Sequence, residues 1–201
     1  MSLRFADLPT KQRALPNHPP KYYSELLQKS DELGFTMPSE MPEGQLLKTL
    51  VAAKPGGNFL ELGTGMGLSL AWMLDGMNQQ SNVLSLDNDE KLTAVVKSII
   101  DDERVTILCT DGDEWIKTNA HQQYDLIFAD TWPGKYRLLQ ETIELLKPGG
   151  FYVIDDMTPQ DHWPEEHFPK ASALKEVLHN HPQLTVVEMN WSTGVFVCTK
   201  L

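Results

Sequence analysis

Phe59-Leu60-Glu61-Leu62-Gly63-Thr64-Gly65-Met66-Gly67 is an apolar run that carries one acid and then breaks into three glycines spaced two apart. Phe59 to Leu62 predicts a buried strand, Gly63 to Gly67 a tight turn, and Leu68 to Leu74 the helix that follows. Glycines in such a turn let the backbone take positive φ and let a ligand lie against bare N–H groups; the helix start behind them adds a partial positive field. The stretch predicts a nucleotide cradle.

The glycine spacing narrows the class of nucleotide. A dinucleotide fold has the form G-x-G-x-x-G and a P-loop ends in Gly-Lys-Ser/Thr. Here the third glycine comes one residue early and no lysine follows. The pattern resembles motif I of the class I S-adenosylmethionine-dependent methyltransferases, E/D-x-G-x-G-x-G. That resemblance assigns Glu61, Gly63, Thr64, Gly65 and Gly67 to the methyl donor. At the strand end, the Glu61 carboxylate could meet a ligand cation such as an amino group or a sulfonium. The competing reading is a glycine-rich turn that only packs a helix on a sheet.

Composition sets the outer limits. With 201 residues, 41% of them hydrophobic, the chain fits one globular domain, divided into an N-terminal extension and helix over 1–42 and a methyltransferase domain over 43–201. A formal charge of -11 repels phosphate backbones, and no basic patch offsets it, so no nucleic-acid partner is expected. The polar, proline-broken stretch from Met1 to Pro20 lacks an apolar leader core, and nowhere do eighteen apolar residues run together. Neither export nor membrane insertion is expected, and the location expected is cytoplasmic. Cys109 and Cys198 fall in predicted strands, where free thiols serve as small buried hydrophobes.

Apolar residues at helical spacing predict helices over Lys21 to Leu33 and Glu43 to Ala53. Strand and helix signals then alternate: Asn58 to Leu62 and Leu68 to Met77, Asn82 to Leu86 and Glu90 to Ile100, Arg104 to Cys109 and Asp113 to Asn119. Tyr124 to Ala129, a helix over Tyr136 to Leu146, and Phe151 to Ile154 continue the rhythm. Apolar strands separated by helices imply an α/β fold with a doubly wound, mostly parallel sheet covered on both faces. After a helix from about Lys170 to Asn180, Leu184 to Asn190 and Val195 to Lys200 are joined by Trp191-Ser192-Thr193-Gly194. That link is too short for a crossover helix, so these strands form a C-terminal antiparallel hairpin. The arrangement resembles the seven-stranded Rossmann-like methyltransferase sheet with its reversed last strand.

In such sheets ligands bind outside the carboxyl ends of the strands. The second strand ends at Asp87, where an acid can take two ribose hydroxyls. The third delivers Asp111-Gly112-Asp113, and in the methyltransferase pattern an acid here meets the adenine amino group while the next N–H meets a ring nitrogen. A solvated loop acid is the alternative at each position. The fourth strand ends in Asp130-Thr131-Trp132 and the fifth in Asp155-Asp156, which puts three carboxylates at adjacent strand ends. Clustered acids repel unless a cation joins them, and oxygen-only ligands suit a hard divalent ion such as Mg²⁺. The other reading makes these aspartates caps of turns and of the following helix.

Leu60-Glu61-Leu62-Gly63, Val105-Thr106-Ile107-Leu108 and Asp130-x-Trp132 with Tyr136 resemble catechol O-methyltransferase and the caffeoyl-CoA O-methyltransferase-like group, over about Glu43 to Asp156. The resemblance implies a metal held by Asp130, Asp155 and Asp156, with Asp156 standing where the family has Asn. The family's catalytic lysine falls at Pro133 here; Lys135, two residues on, is the candidate base, with a surface lysine as the alternative. Asp130 and Lys135 are thus the catalytic candidates, and Asp130 and Trp132 also border the donor. His162, His167 and Trp163 lie in the Thr158 to Pro169 loop, which could cover the substrate or stay solvated.

These signals lead to an expected S-adenosylmethionine-dependent O-methyltransferase acting on a small hydroxylated acceptor, with a divalent cation as a companion expectation. Three alternatives remain: N-methylation of another acceptor, non-catalytic S-adenosylmethionine binding, and a nicotinamide oxidoreductase. The first lacks the Asp/Asn-Pro-Pro-Tyr/Phe signature, and the third is disfavoured by glycine spacing. Monomer and homodimer are equally open.

Overall fold

The strand–helix alternation expected from Asn58 onward is present in a computed structural model that describes residues 18–160 and 167–201. Two helices come first, α1 (Tyr23–Glu32) and α2 (Met41–Ala52). The parallel half follows as β1 (Asn58–Leu62), α3 (Leu68–Gly76), β2 (Asn82–Asp87), α4 (Glu90–Ile99), β3 (Val105–Cys109), α5 (Gly112–Thr118) and β4 (Tyr124–Ala129). Then come α6 (Leu139–Glu144), β5 (Leu146–Ile154), α7 (His167–His179), β6 (Leu184–Met189) and β7 (Val195–Lys200). The strands form one sheet in the order β3-β2-β1-β4-β5-β7-β6. β7 is antiparallel to both β5 and β6, so the C-terminal hairpin is present, with its second strand slotted inside its first.

Side-chain alternation explains why both sheet faces are covered. Phe59, Leu126 and Phe128 point to one face, where they pack with Tyr23, Leu26, Leu47, Leu70 and Met73 from α1, α2 and α3. Leu60, Leu62, Ile127 and Ala129 point to the other, against Trp115, Ile143, Leu174 and Leu178 from α5, α6 and α7. Each fully buried side chain of this size contributes about 1.5–3 kcal/mol. α1 belongs to the same core as the sheet, with Tyr23 edge-on to Trp72 at 5.6 Å between ring centroids.

Three expectations change. The helix placed over Tyr136 to Leu146 shrinks to α6, because residues 132–137 form a tight loop in which the Trp132 carbonyl accepts from the Lys135, Tyr136 and Arg137 N–H groups. The strand expected from Phe151 begins at Leu146, with a register shift against β4 that absorbs Pro148, Gly149 and Gly150. Cys198 is buried as expected, but Cys109 is exposed, since β3 is the sheet edge and has few neighbours there. Among the described residues no helix is long and apolar enough to cross a membrane.

Candidate active site

Strand order reverses between β1 and β4, and the tips of β1, β2, β3 and β4 meet at a cavity of about 240 Å³. Backbone pairing continues past the strands and fixes these tips: Gly63 and Thr64 donate to the Leu86 carbonyl, Thr110 to Asp87, and Asp130 to Leu62. Gly63, Asp87, Asp111, Gly112 and Trp132 all line the cavity.

Gly63 has φ +104, and a Cβ there would lie 2.9 Å from the Asp130 carbonyl oxygen. Only a residue without a side chain lets the β1 and β4 tips approach this closely. Across the cavity, a Cβ on Gly112 would meet Pro133 Cβ at 2.8 Å. Asp87 Oδ2 accepts the Gly65 N–H at 2.8 Å and Oδ1 accepts the Asp89 N–H at 2.9 Å, so this acid holds the glycine turn as well as facing the cavity. Each oxygen keeps further lone-pair capacity for a ligand hydroxyl. Asp111 caps α5 by accepting from Glu114 N–H at 3.0 Å. Trp132 forms a wall, with Tyr136 edge-on at 5.9 Å and the Lys170 ammonium 3.9 Å from its ring centre.

Glu61, Thr64, Gly65 and Gly67 stand behind the cavity instead of lining it. Glu61 is fully buried on the α3 face, accepting hydrogen bonds from Ser69 at 2.7 Å and from Ser85 at 2.5 Å. Burial raises its carboxyl to about 7 against the pull of those hydroxyls. Thr64 is turned inward onto Ser85, 2.6 Å away. Leu62, Leu86, Asn88, Thr110, Thr131 and Arg137 line the cavity without having been singled out; all but Arg137 stand within two residues of a strand end, which is the signal that could have found them.

Beside the cavity lies a second feature, an acid cluster. Lys135 is 2% exposed and its ammonium reaches the Asp156 carbonyl at 3.4 Å, so this lysine is buried and turned toward the β5 tip. The loop explains how: Gly134 at φ +80 wedges against Leu62, Tyr152 hydroxyl donates to its carbonyl, and the chain folds back to point residue 135 inward. Asp155 is buried and accepts a hydrogen bond from Thr193. Burial, then Asp156, raise its carboxyl to about 6. Burial and then Asp155 and Asp156 push Asp130 well above the usual carboxylate range. A residue that the sequence reading gave only as the start of a helix joins them. Glu43, in the first turn of α2, is fully buried, and burial followed by Asp155 and Asp130 pushes it well up too. Its position in an amphipathic helix read as core-facing was the available sign.

As these side chains stand, no three His, Cys, Asp or Glu among the described residues are gathered closely enough to hold a metal ion. The donor set nevertheless fits a hard divalent cation in kind: it is all oxygen, and both Glu43 carboxylate oxygens are buried without a hydrogen-bond partner. His167 bonds Tyr136 hydroxyl through Nε2 at 2.8 Å, close to Trp132. His162 and Trp163 lie outside the described residues.

Comparison with known proteins agrees with this geometry. Residues 60–157 match a family model described as a methyltransferase domain. A protein of Mycobacterium sp. (strain JLS), provisionally named as an O-methyltransferase, is 28% identical over 117 residues, covering 55% of this chain and 53% of that protein. One from Mycobacterium avium (strain 104), named likewise, is 29% identical with the same coverage. The chain thus spans about half the length of the curated relatives it matches. Among solved structures, an O-methyltransferase from Bacillus cereus in complex with SAH superposes with a TM-score of 0.76 at 20% identity, covering 92% of each chain. The O-methyltransferase TomG from Streptomyces achromogenes, in complex with SAM, gives 0.76 at 16% identity and 91% coverage of each chain. The fold is the Rossmann-like methyltransferase fold.

Proposed function

We propose that this chain, whose residues 60–157 match a family model described as a methyltransferase domain, transfers a methyl group from S-adenosylmethionine to a hydroxyl oxygen of a small molecule. The observation that carries the reading is the cavity at the switch point, where a bare glycine turn, Asp87, the Asp111-Gly112 step and Trp132 converge. Gly63, with no side chain, lets the β1 and β4 tips close on this cavity.

In this reading Asp87 takes the ribose hydroxyls, Asp111 the adenine amino group, and the Gly112 N–H a ring nitrogen. Trp132 walls the donor on the β4 side. Glu61 acts from behind, holding β1, β2 and α3 in register through Ser85 and Ser69 so that the turn keeps its shape. Holding donor and acceptor in line supplies several kcal/mol of the barrier, so few groups need to take part in the chemistry. Lys135, in its neutral form and on the same loop as Trp132, takes the one proton that the acceptor hydroxyl releases, with Asp130 beside it at the β4 tip. Asp130, Asp155 and Asp156 would hold a divalent cation. Such an ion, when bound, lowers the pKa of the acceptor hydroxyl and fixes its orientation.

Calorimetry with S-adenosylmethionine, run with and without Mg²⁺ on the parent, Asp87→Ala and Asp130→Ala, tests the reading. The parent binds the donor, Asp87→Ala loses it, and Asp130→Ala keeps it while losing the metal response. Donor affinity unchanged in Asp87→Ala contradicts the ribose role, and a metal response surviving in Asp130→Ala contradicts the cation role. Incubation with methyl-labelled donor and a panel of hydroxylated small molecules then identifies the acceptor.

A further inference from the structure

Arg137 has no part in the chemistry assigned above, yet it lines the strand-tip cavity and is the one basic residue among the described residues that do. The loop fixes its backbone there: its N–H donates to the Trp132 carbonyl at 3.2 Å, and its carbonyl accepts from the Gly134 N–H at 2.7 Å. The side chain is held too. Nε donates to Asp113 Oδ2 at 2.5 Å, and among the described residues neither terminal nitrogen meets a partner of its own. Asp113 follows directly on Asp111 and Gly112, so the residue that anchors the guanidinium adjoins two that line the cavity.

An unpaired cation in this cavity would repel a sulfonium donor. The Asp113 carboxylate offsets that charge and leaves the guanidinium as a flat, weakly hydrated surface of the kind that stacks on aromatic rings, which an ammonium does not offer. Two other lining residues of the same loop flank it: Trp132, whose ring centre is 5.9 Å from the guanidinium carbon, and Pro133, which a Cβ on Gly112 would meet at 2.8 Å. We propose that Arg137 is a specificity residue for the donor's base: while Asp111 and Gly112 read the edge of the adenine, the guanidinium lies against the face of the ring, kept in place by Asp113. The proposal rests on the donor reading given above and adds the face of the base to it. The side chain is 46% exposed, which leaves it an open surface for the base to cover.

The test is calorimetry on the full chain with S-adenosylhomocysteine and with S-inosylhomocysteine, whose base has a similar ring face and a different edge, for the parent, Arg137→Lys, Arg137→Met and Asp113→Asn. Arg137→Lys and Arg137→Met each weaken both ligands about tenfold, because neither replacement is planar, and Asp113→Asn weakens both about threefold. The parent's preference for the adenine ligand survives in all three variants, since Asp111 and Gly112 still read the edge. Parent-like affinity in Arg137→Lys overturns the proposal. So does a loss confined to the adenine ligand, which means that Arg137 acts by holding α5 and does not touch the base. A parent that binds neither ligand overturns the donor reading and this proposal with it, whereas a parent that binds both, with Arg137→Lys unchanged, overturns this proposal alone. If Arg137→Met does not fold, the Arg137→Lys result decides.

Discussion

The cavity and the acid cluster lie side by side at the strand tips but are made differently. The cavity is shaped by backbone: the positive φ of Gly63, the Gly112–Pro133 contact, and an Asp87 whose carboxylate already ties down the Gly65 and Asp89 N–H groups. The cluster is shaped by charge: burial raises Glu43, Asp130 and Asp155, Asp155 and Asp156 add to the first two, Asp156 adds to the third, and the buried Lys135 stands beside them. A surface built from backbone is ready before its ligand arrives. A set of buried like charges is costly until something cationic or a proton joins it, and such costs collect where chemistry is done.

Four substitutions separate the two regions. The largest effect is expected in the cluster: Lys135→Met lowers turnover of any accepted substrate by about 10²–10⁴ while donor affinity stays within about twofold, read by labelled-methyl transfer and calorimetry. Parent-like turnover removes Lys135 from the proton path. On the cavity side, Asp87→Ala lowers S-adenosylmethionine affinity by about 100-fold, since it removes charge-assisted bonds worth about 1.5–3 kcal/mol each. Gly63→Ala costs roughly 3 kcal/mol of stability by urea unfolding, because its Cβ meets the Asp130 carbonyl at a φ that alanine rarely adopts. An alanine accepted without loss means that the tips are looser than described.

The smallest effect is a pH dependence. Glu61 titrates at about 7 in the fold and near its ordinary value when unfolded, so between those values the folded chain holds a proton that the unfolded chain has released. Stability from this group therefore falls as pH rises toward 7. Glu61→Gln removes that slope, and its stability relative to the parent should rise from pH 5 to pH 8 by on the order of 2 kcal/mol. An equal difference at both pH values would falsify the burial argument.

The same contrast decides what could be read from the chain. The strand–helix alternation, the glycine turn and the Asp87 and Asp111 positions follow from period, breakers and strand-end placement, which are local signals. Lys135 was legible only as a residue two places out of step, because the loop that turns it inward depends on Gly134 packing against Leu62, far away in sequence. Glu61 at a strand end read as a ligand group, but the side of the strand it occupies puts it among Ser69 and Ser85. Glu43 was named only as the start of a helix; it stands four and eight residues before the buried Leu47 and Val51, so the helical period already placed it on the core-facing side.

β7 lies between β5 and β6, and the loop that precedes it carries Thr193, which donates to Asp155, and Gly194, whose carbonyl accepts from Met157. During synthesis, then, the β1 to β4 portion can pair and close its glycine turn long before residues 193–200 leave the ribosome. The β5 tip gains these ties only at that late step, so a chain stalled short of β7 would have its strand-tip cavity beside an untethered Asp155.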